Sequence, residues 1–114
     1  MNMDRMAKEI HRNAAEKGFW DYMYSNAEPV GDKFIFYGKQ LAMIHSEVTE
    51  TLEALRKSKG QDQVVEELAD IMIRVLDLYE GLRHAGEVED SLHDVLLRKI
   101  AINTARPKMH GVLG

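Results

Sequence analysis

The chain has 114 residues, a formal net charge of -4 and no cysteine. That length suits one domain over 1–114, able to bury about two-thirds of its unfolded surface. The absent thiols exclude a disulfide framework, a thiolate nucleophile and a zinc–thiolate site, and the acidic balance argues against nonspecific nucleic-acid binding.

A composition 45% hydrophobic and 30% charged is that of a soluble globular protein with neither disorder nor a membrane span. The start, Met1-Asn-Met-Asp-Arg5, lacks the apolar run of a secretory signal, so a mature cytoplasmic protein is the expectation.

In chain order, Met3, Met6, Ala7, Ile10 and Ala14 recur at helical spacing and predict an amphipathic helix ending near Lys17-Gly18. Phe19, Trp20, Tyr22 and Tyr24 then form an aromatic stretch. Such a cluster can close the end of a helical core or stack on a nucleobase, and Trp20 is the best single candidate for a base contact. Glu28-Pro-Val-Gly-Asp32 reads as a turn, with Asp32 capping the next helix.

That long helix is expected from about Lys33 to Lys57, with Phe34, Tyr37, Leu41, Ile44, Val48, Leu52 and Leu55 as its apolar stripe. A turn at Ser58-Lys-Gly-Gln61 separates it from a second helix over about Gln63 to Arg83. The second helix is capped by Asp62 and carries Val64, Leu68, Ile71, Met72, Val75 and Tyr79 on its stripe. His84-Ala-Gly-Glu87 reads as a connection. A last helix from about Val88 to Ala105 stops at Arg106-Pro107, where proline cannot continue it. The tail, Lys108 to Gly114, is expected to be loose unless it closes over a site. The whole predicts an all-α fold, four main helices around a central antiparallel helix hairpin.

Each hairpin helix carries a short acidic motif, Glu47-Val-Thr-Glu50 and Glu67-Leu-Ala-Asp70, and both motif pairs are centred on the same point between Ser58 and Lys59. Folding back there sets Glu50 against Glu67 and Glu47 against Asp70. With about 100° of rotation per residue, the acids sit to one side of their stripes, and stripe-to-stripe packing sends all four to one edge. Carboxylates so crowded either take up protons or bind cations. Oxygen-only ligands suit Mg2+ or Mn2+. Solvated acids on two helix faces, partly offset by Arg74, account for the same residues.

Other groups divide similarly. The inward stripe of the last helix, Val88, Leu92 and Val95, continues through Lys99, Ile102, Asn103 and Arg106, turning basic as the helix ends. These cations can bind phosphate oxygens or offset the helix dipole while their stems cover apolar surface. Glu53 can support the other acids or be an ordinary surface glutamate. Asp77, two turns after Asp70, can orient a ligand but reads rather as solvated, and the five histidines have no metal-binding spacing. The outer flanks Met43, Ile73, Leu76 and Leu78 are apolar enough to call for burial by another subunit.

Glu47-x-x-Glu50 followed by Glu67-x-x-Asp70 resembles the paired signature of the MazG-like nucleotide pyrophosphohydrolases, in the all-α NTP pyrophosphatase superfamily. Ile44-His-Ser-Glu-Val-Thr-Glu-Thr-Leu-Glu-Ala-Leu-Arg56 and Glu66-Glu-Leu-Ala-Asp-Ile-Met-Ile-Arg74 look like its two central helices. Gly18-Phe-Trp-Asp21, Lys99, Asn103, Arg106-Pro107 and His110-Gly111 look like its phage and bacterial single-domain branch. Two departures are Ser46, where the family often has a glutamate, and Val112, where this branch often has a lysine.

The resemblance implies a metal-dependent hydrolase that splits nucleoside triphosphates between the α and β phosphates. Glu47, Glu50, Glu67 and Asp70 would hold Mg2+. Glu50 and Lys99 would serve catalysis, with Lys99, Asn103 and Arg106 on the substrate. It also implies a homodimer or homotetramer. The alternatives are a noncatalytic helical interaction module and a phosphoribosyl-ATP pyrophosphohydrolase.

Overall fold

Asn2 opens the first helix by accepting a hydrogen bond from the Arg5 backbone N–H at 2.9 Å, which satisfies one of the donors that every helix start leaves orphaned. The computed structural model describes residues 2–21 and 30–107, with the backbone alone at 30–32. Tyr22, Tyr24, Glu28, Pro29 and the tail from Lys108, with His110, Gly111 and Val112, lie outside the described residues. Helices occupy Met3–Glu16 (α1), Val30–Arg56 (α2), Gln61–His84 (α3) and Leu92–Ala105 (α4), and the described residues contain no strand. No described helix is long and apolar enough to cross a membrane.

The helix ends explain most of the differences from the expected boundaries. α2 begins at Val30, so Asp32 lies inside the helix rather than capping it. Gly60, at φ 97°, occupies the N-cap of α3, and Asp62 sits in the first turn, where its charge meets the helix dipole instead of an orphan N–H. Ser91 caps α4 by accepting from the Asp94 N–H at 3.2 Å, which delays that helix from Val88 to Leu92. α2 ends with the Ser58 N–H on the Leu55 carbonyl and the Lys59 N–H on the Ala54 carbonyl. This close leaves Ser58 at φ 54°, a left-handed conformation that glycine more commonly supplies.

α2 and α3 form the central hairpin, and α1 lies along α3 with α4 against α1. At the end of the hairpin far from the Lys57–Gly60 turn, Lys33 reaches Glu87 at 3.0 Å. The packed faces differ from the expected stripes. Phe36 and Ala54 of α2 and Leu76 and Leu78 of α3 are buried, whereas Phe34, Leu41, Val48, Leu52, Leu55, Leu68 and Met72 are exposed. Leu78, expected on an outer flank, is inside because it packs with Trp20 and Phe36, and Leu76, about 200° round α3 from it, is buried as well. Phe36 does the same for α2 by packing on Trp20. The most regular apolar stripes of the hairpin therefore face outward.

The core centres on Trp20, fully buried with Phe36 and Leu78 against it and Ala14, Ala15, Tyr37, Ile44 and Leu82 around it. Truncating a buried aromatic of this size costs roughly 3–5 kcal/mol. Gly81 makes its placement feasible, because a Cβ there would fall on the Trp20 ring, while a Cβ at Gly38 would meet nothing within 4 Å. The same substitution at these two glycines should therefore have opposite outcomes. Gly81→Ala is expected to lower unfolding stability by roughly 1–3 kcal/mol through overpacking. Gly38→Ala, inside α2, is expected to raise it by about 0.5–1 kcal/mol; urea denaturation of both variants measures the two effects.

Candidate functional site

Glu47 and Glu50 lie one turn apart on α2, and Glu67 faces them from α3. One carboxylate oxygen from each of the three lies within 4.8 Å of the others. The fold-back across Ser58 and Lys59 thus brings Glu50 to Glu67. Asp70 stands outside this grouping. Glu47 instead meets Arg74, whose Nε donates to Glu47 Oε1 at 3.0 Å, and that pull from α3 turns its carboxylate toward the arginine. Asp70 still borders the same groove as Glu47 and Arg74.

Crowding sets the electrostatics. The Glu50 carboxyl is pushed up from its ordinary 4.5, first by the charge of Glu47, then by desolvation and by Glu67, against a downward pull from Arg74. Gln63 donates to Glu67 at 2.9 Å, one turn before it on the same helix. Glu53 faces away toward Arg56, at 2.7 Å, and Lys57, at 3.9 Å, which makes it a surface ion-pair residue.

The groove, of about 650 Å³, runs from Glu47 and Asp70 toward α1, a size within the range of small-molecule sites. Lys17, Lys39 and Arg74 place cations along it, and Asn13 and Gln40 place amides. Sequence reasoning missed Lys39 and Gln40 as groove residues. Their signal was the spacing, since Gln40, Met43 and Glu47 recur three and four residues apart and so share one face. Asn13 and Lys17 are likewise one turn apart, but only the packing of α1 could show what they face.

Three expected substrate residues lie elsewhere. Lys99, Asn103 and Arg106 are exposed on and just beyond α4, which packs along α1, and within the described chain none makes an ion pair or hydrogen bond to the acids. Trp20 corrects the base-stacking expectation. It is 0% exposed, its centroid is 5.0 Å from that of Phe36, and Gly81 lies against it, so no face is open to a base.

Asp77 is also corrected. It is not solvated but accepts the Trp20 indole N–H at 2.9 and 3.1 Å and stands 2.8 Å from His11 Nδ1. Comparison with protein-family models, with curated proteins and with solved structures found no match for this chain. Its function must therefore be read from the chemistry of the acids and the groove.

Because the folded-state Glu50 holds its proton more tightly than a free carboxyl, its favourable contribution to stability is present below pH 4.5. That contribution is lost as pH rises through the raised folded value. Glu50→Gln should accordingly raise the melting temperature at neutral pH in metal-free buffer. The gain should close as pH falls below the ordinary carboxylate range, and thermal scans across pH 3.5 to about 8 track it.

Proposed function

We propose that this protein hydrolyses nucleoside triphosphates between the α and β phosphates, releasing the monophosphate and pyrophosphate. The observation that carries the reading is the convergence of Glu47, Glu50 and Glu67, of which Glu47 also lines, with Asp70, a groove that holds Lys17, Lys39 and Arg74. Carboxylates and cations along one groove are what a metal-bound polyphosphate needs.

The donor set fits Mg2+ or Mn2+: all ligands are oxygen, and since they lie within 4.8 Å of one another, small side-chain shifts would close them around an ion whose opposite ligands stand about 4.2 Å apart. Glu47, Glu50 and Glu67 would hold it, with Asp70 at the groove edge. When bound, the ion neutralises phosphate charge and polarises the scissile anhydride.

Glu50 is the group proposed to hold and deprotonate the attacking water. Its side chain is exposed at the cluster, so a water can reach a carboxylate oxygen there. The new bond joins the water oxygen to the α phosphorus, the bond from that phosphorus to the bridging oxygen breaks, and the electron pair leaves with pyrophosphate.

Assembly belongs to the same proposal. Leu41, Val48, Leu52, Leu55, Leu68 and Met72 on the hairpin, and Leu97, Ile100 and Ile102 on α4, are exposed. Burying them gives a homodimer or homotetramer a driving force of about 25 cal/mol per Å² of apolar surface removed from water. In such an assembly the α4 of one copy would bring Lys99, Asn103 and Arg106 to the acids of another, where they would bind phosphate oxygens.

A pyrophosphate-release assay over canonical and modified triphosphates and phosphoribosyl-ATP tests the activity. Turnover is expected with Mg2+, none with a chelator, and a loss of at least about 100-fold in Glu50→Gln. Undiminished turnover in that variant would remove Glu50 from the reaction, and silence across the panel would favour a noncatalytic interaction module. Light scattering coupled to size exclusion tests the assembly: a mass of two or four chains is expected, falling to one in Leu52→Glu.

A further inference from the structure

Arg74 holds a position that the proposed chemistry does not explain by itself. Its guanidinium leaves α3 one turn after Asp70 and crosses to α2, where Nε donates to Glu47 at 3.0 Å and Nη1 lies 4.0 Å from Met43 Sδ. The Glu47 side chain is only 14% exposed and that of Arg74 34%, so water screens the pair less than it would an exposed one. Through Glu47 the guanidinium also stands next to Glu50 and Glu67, whose carboxylate oxygens lie within 4.8 Å of that of Glu47. A single positive charge thus serves several crowded carboxylates.

A divalent cation taken up by Glu47 would have to share that carboxylate with the guanidinium, and like charges at one carboxylate repel. The arginine is a monovalent cation on a flexible stem, and it borders the groove together with Lys39 and Lys17. Displaced from Glu47, its planar fork would face the groove, where it matches the geometry of two phosphate oxygens.

We propose that Arg74 is an exchangeable counter-ion: it neutralises Glu47 in the metal-free protein, yields that carboxylate to the divalent cation, and then binds the phosphates of the substrate. This rests on the metal-dependent reading above. It makes Arg74 both a competitor of the metal and a ligand of the anion, two roles that a merely structural ion pair would not combine.

The test uses Mn2+ counted by electron paramagnetic resonance, then inorganic pyrophosphate titrated by calorimetry at saturating Mn2+. Arg74→Ala and Arg74→Lys are compared with the wild type, and helicity is checked by circular dichroism. Arg74→Ala should bind Mn2+ roughly tenfold tighter, because its competitor is gone, and pyrophosphate at least about tenfold weaker.

Arg74→Lys keeps the charge but not the fork, so it should hold Mn2+ within about twofold of wild type while still losing pyrophosphate affinity. The lysine variant decides the matter if the alanine variant does not fold. Equal Mn2+ affinity in wild type and Arg74→Ala, or unchanged pyrophosphate affinity in either variant, overturns the exchange and leaves the metal site standing. A wild type that binds no Mn2+ overturns both.

Discussion

The carboxylate of Asp77 ties the structure together. It sits on α3, accepts the indole N–H of Trp20 with both oxygens, and meets His11 of α1 at 2.8 Å. A buried indole N–H without an acceptor costs on the order of 1–3 kcal/mol, so the position of Trp20 is set by Asp77 as much as by its apolar contacts. Gly81, one turn further along α3, leaves room for the ring. With Trp20 fixed, Phe36 of α2 has a surface to pack on and α1 is held against α3. The groove is the space these three helices leave between them.

That space opens next to a cluster of like charges, and the two features depend on each other. Three carboxylates with oxygens within 4.8 Å of one another work against the folded state whenever all are ionised. The fold tolerates them at the edge of the hairpin, where Glu50 remains exposed, and offsets part of their charge with the Arg74–Glu47 pair. Such an arrangement gives up stability, which a cation of the kind proposed above would restore by neutralising the crowded charge.

Much of this was legible in the sequence, and the rest failed for identifiable reasons. Helical periodicity and the stops at Gly18 and Gly86 located the helices to within a few residues, because those signals are local. The meeting of Glu50 with Glu67 came from turn symmetry alone. The inward face of the hairpin did not. Val48, Leu52 and Leu68 form regular stripes, and periodicity tells that a face is apolar without telling what covers it. Phe36, Leu76 and Leu78, off those stripes, became core because α1 and Trp20 arrive from a distant part of the chain. Asp77 looked like a solvated acid for the same reason, since its partners lie 57 and 66 residues away.

The outward stripes connect the core to the proposed chemistry. A chain of 114 residues has a modest core at best, and this one leaves Leu41, Leu52, Leu55 and Leu68 at least half exposed. Completing the burial of each would be worth about 1 kcal/mol or somewhat more, so an unpartnered hairpin leaves unused part of the stabilisation its composition can supply. The helices that present these stripes also carry Glu47, Glu50 and Glu67. A second copy packed on the stripes would therefore stiffen the backbone under the acids, and rigid helices hold carboxylates more closely to one geometry than loops do. In the proposed assembly the apolar stripes and the acidic edge would be two faces of one device: the stripes would set the hairpin in place, and the acids would use it.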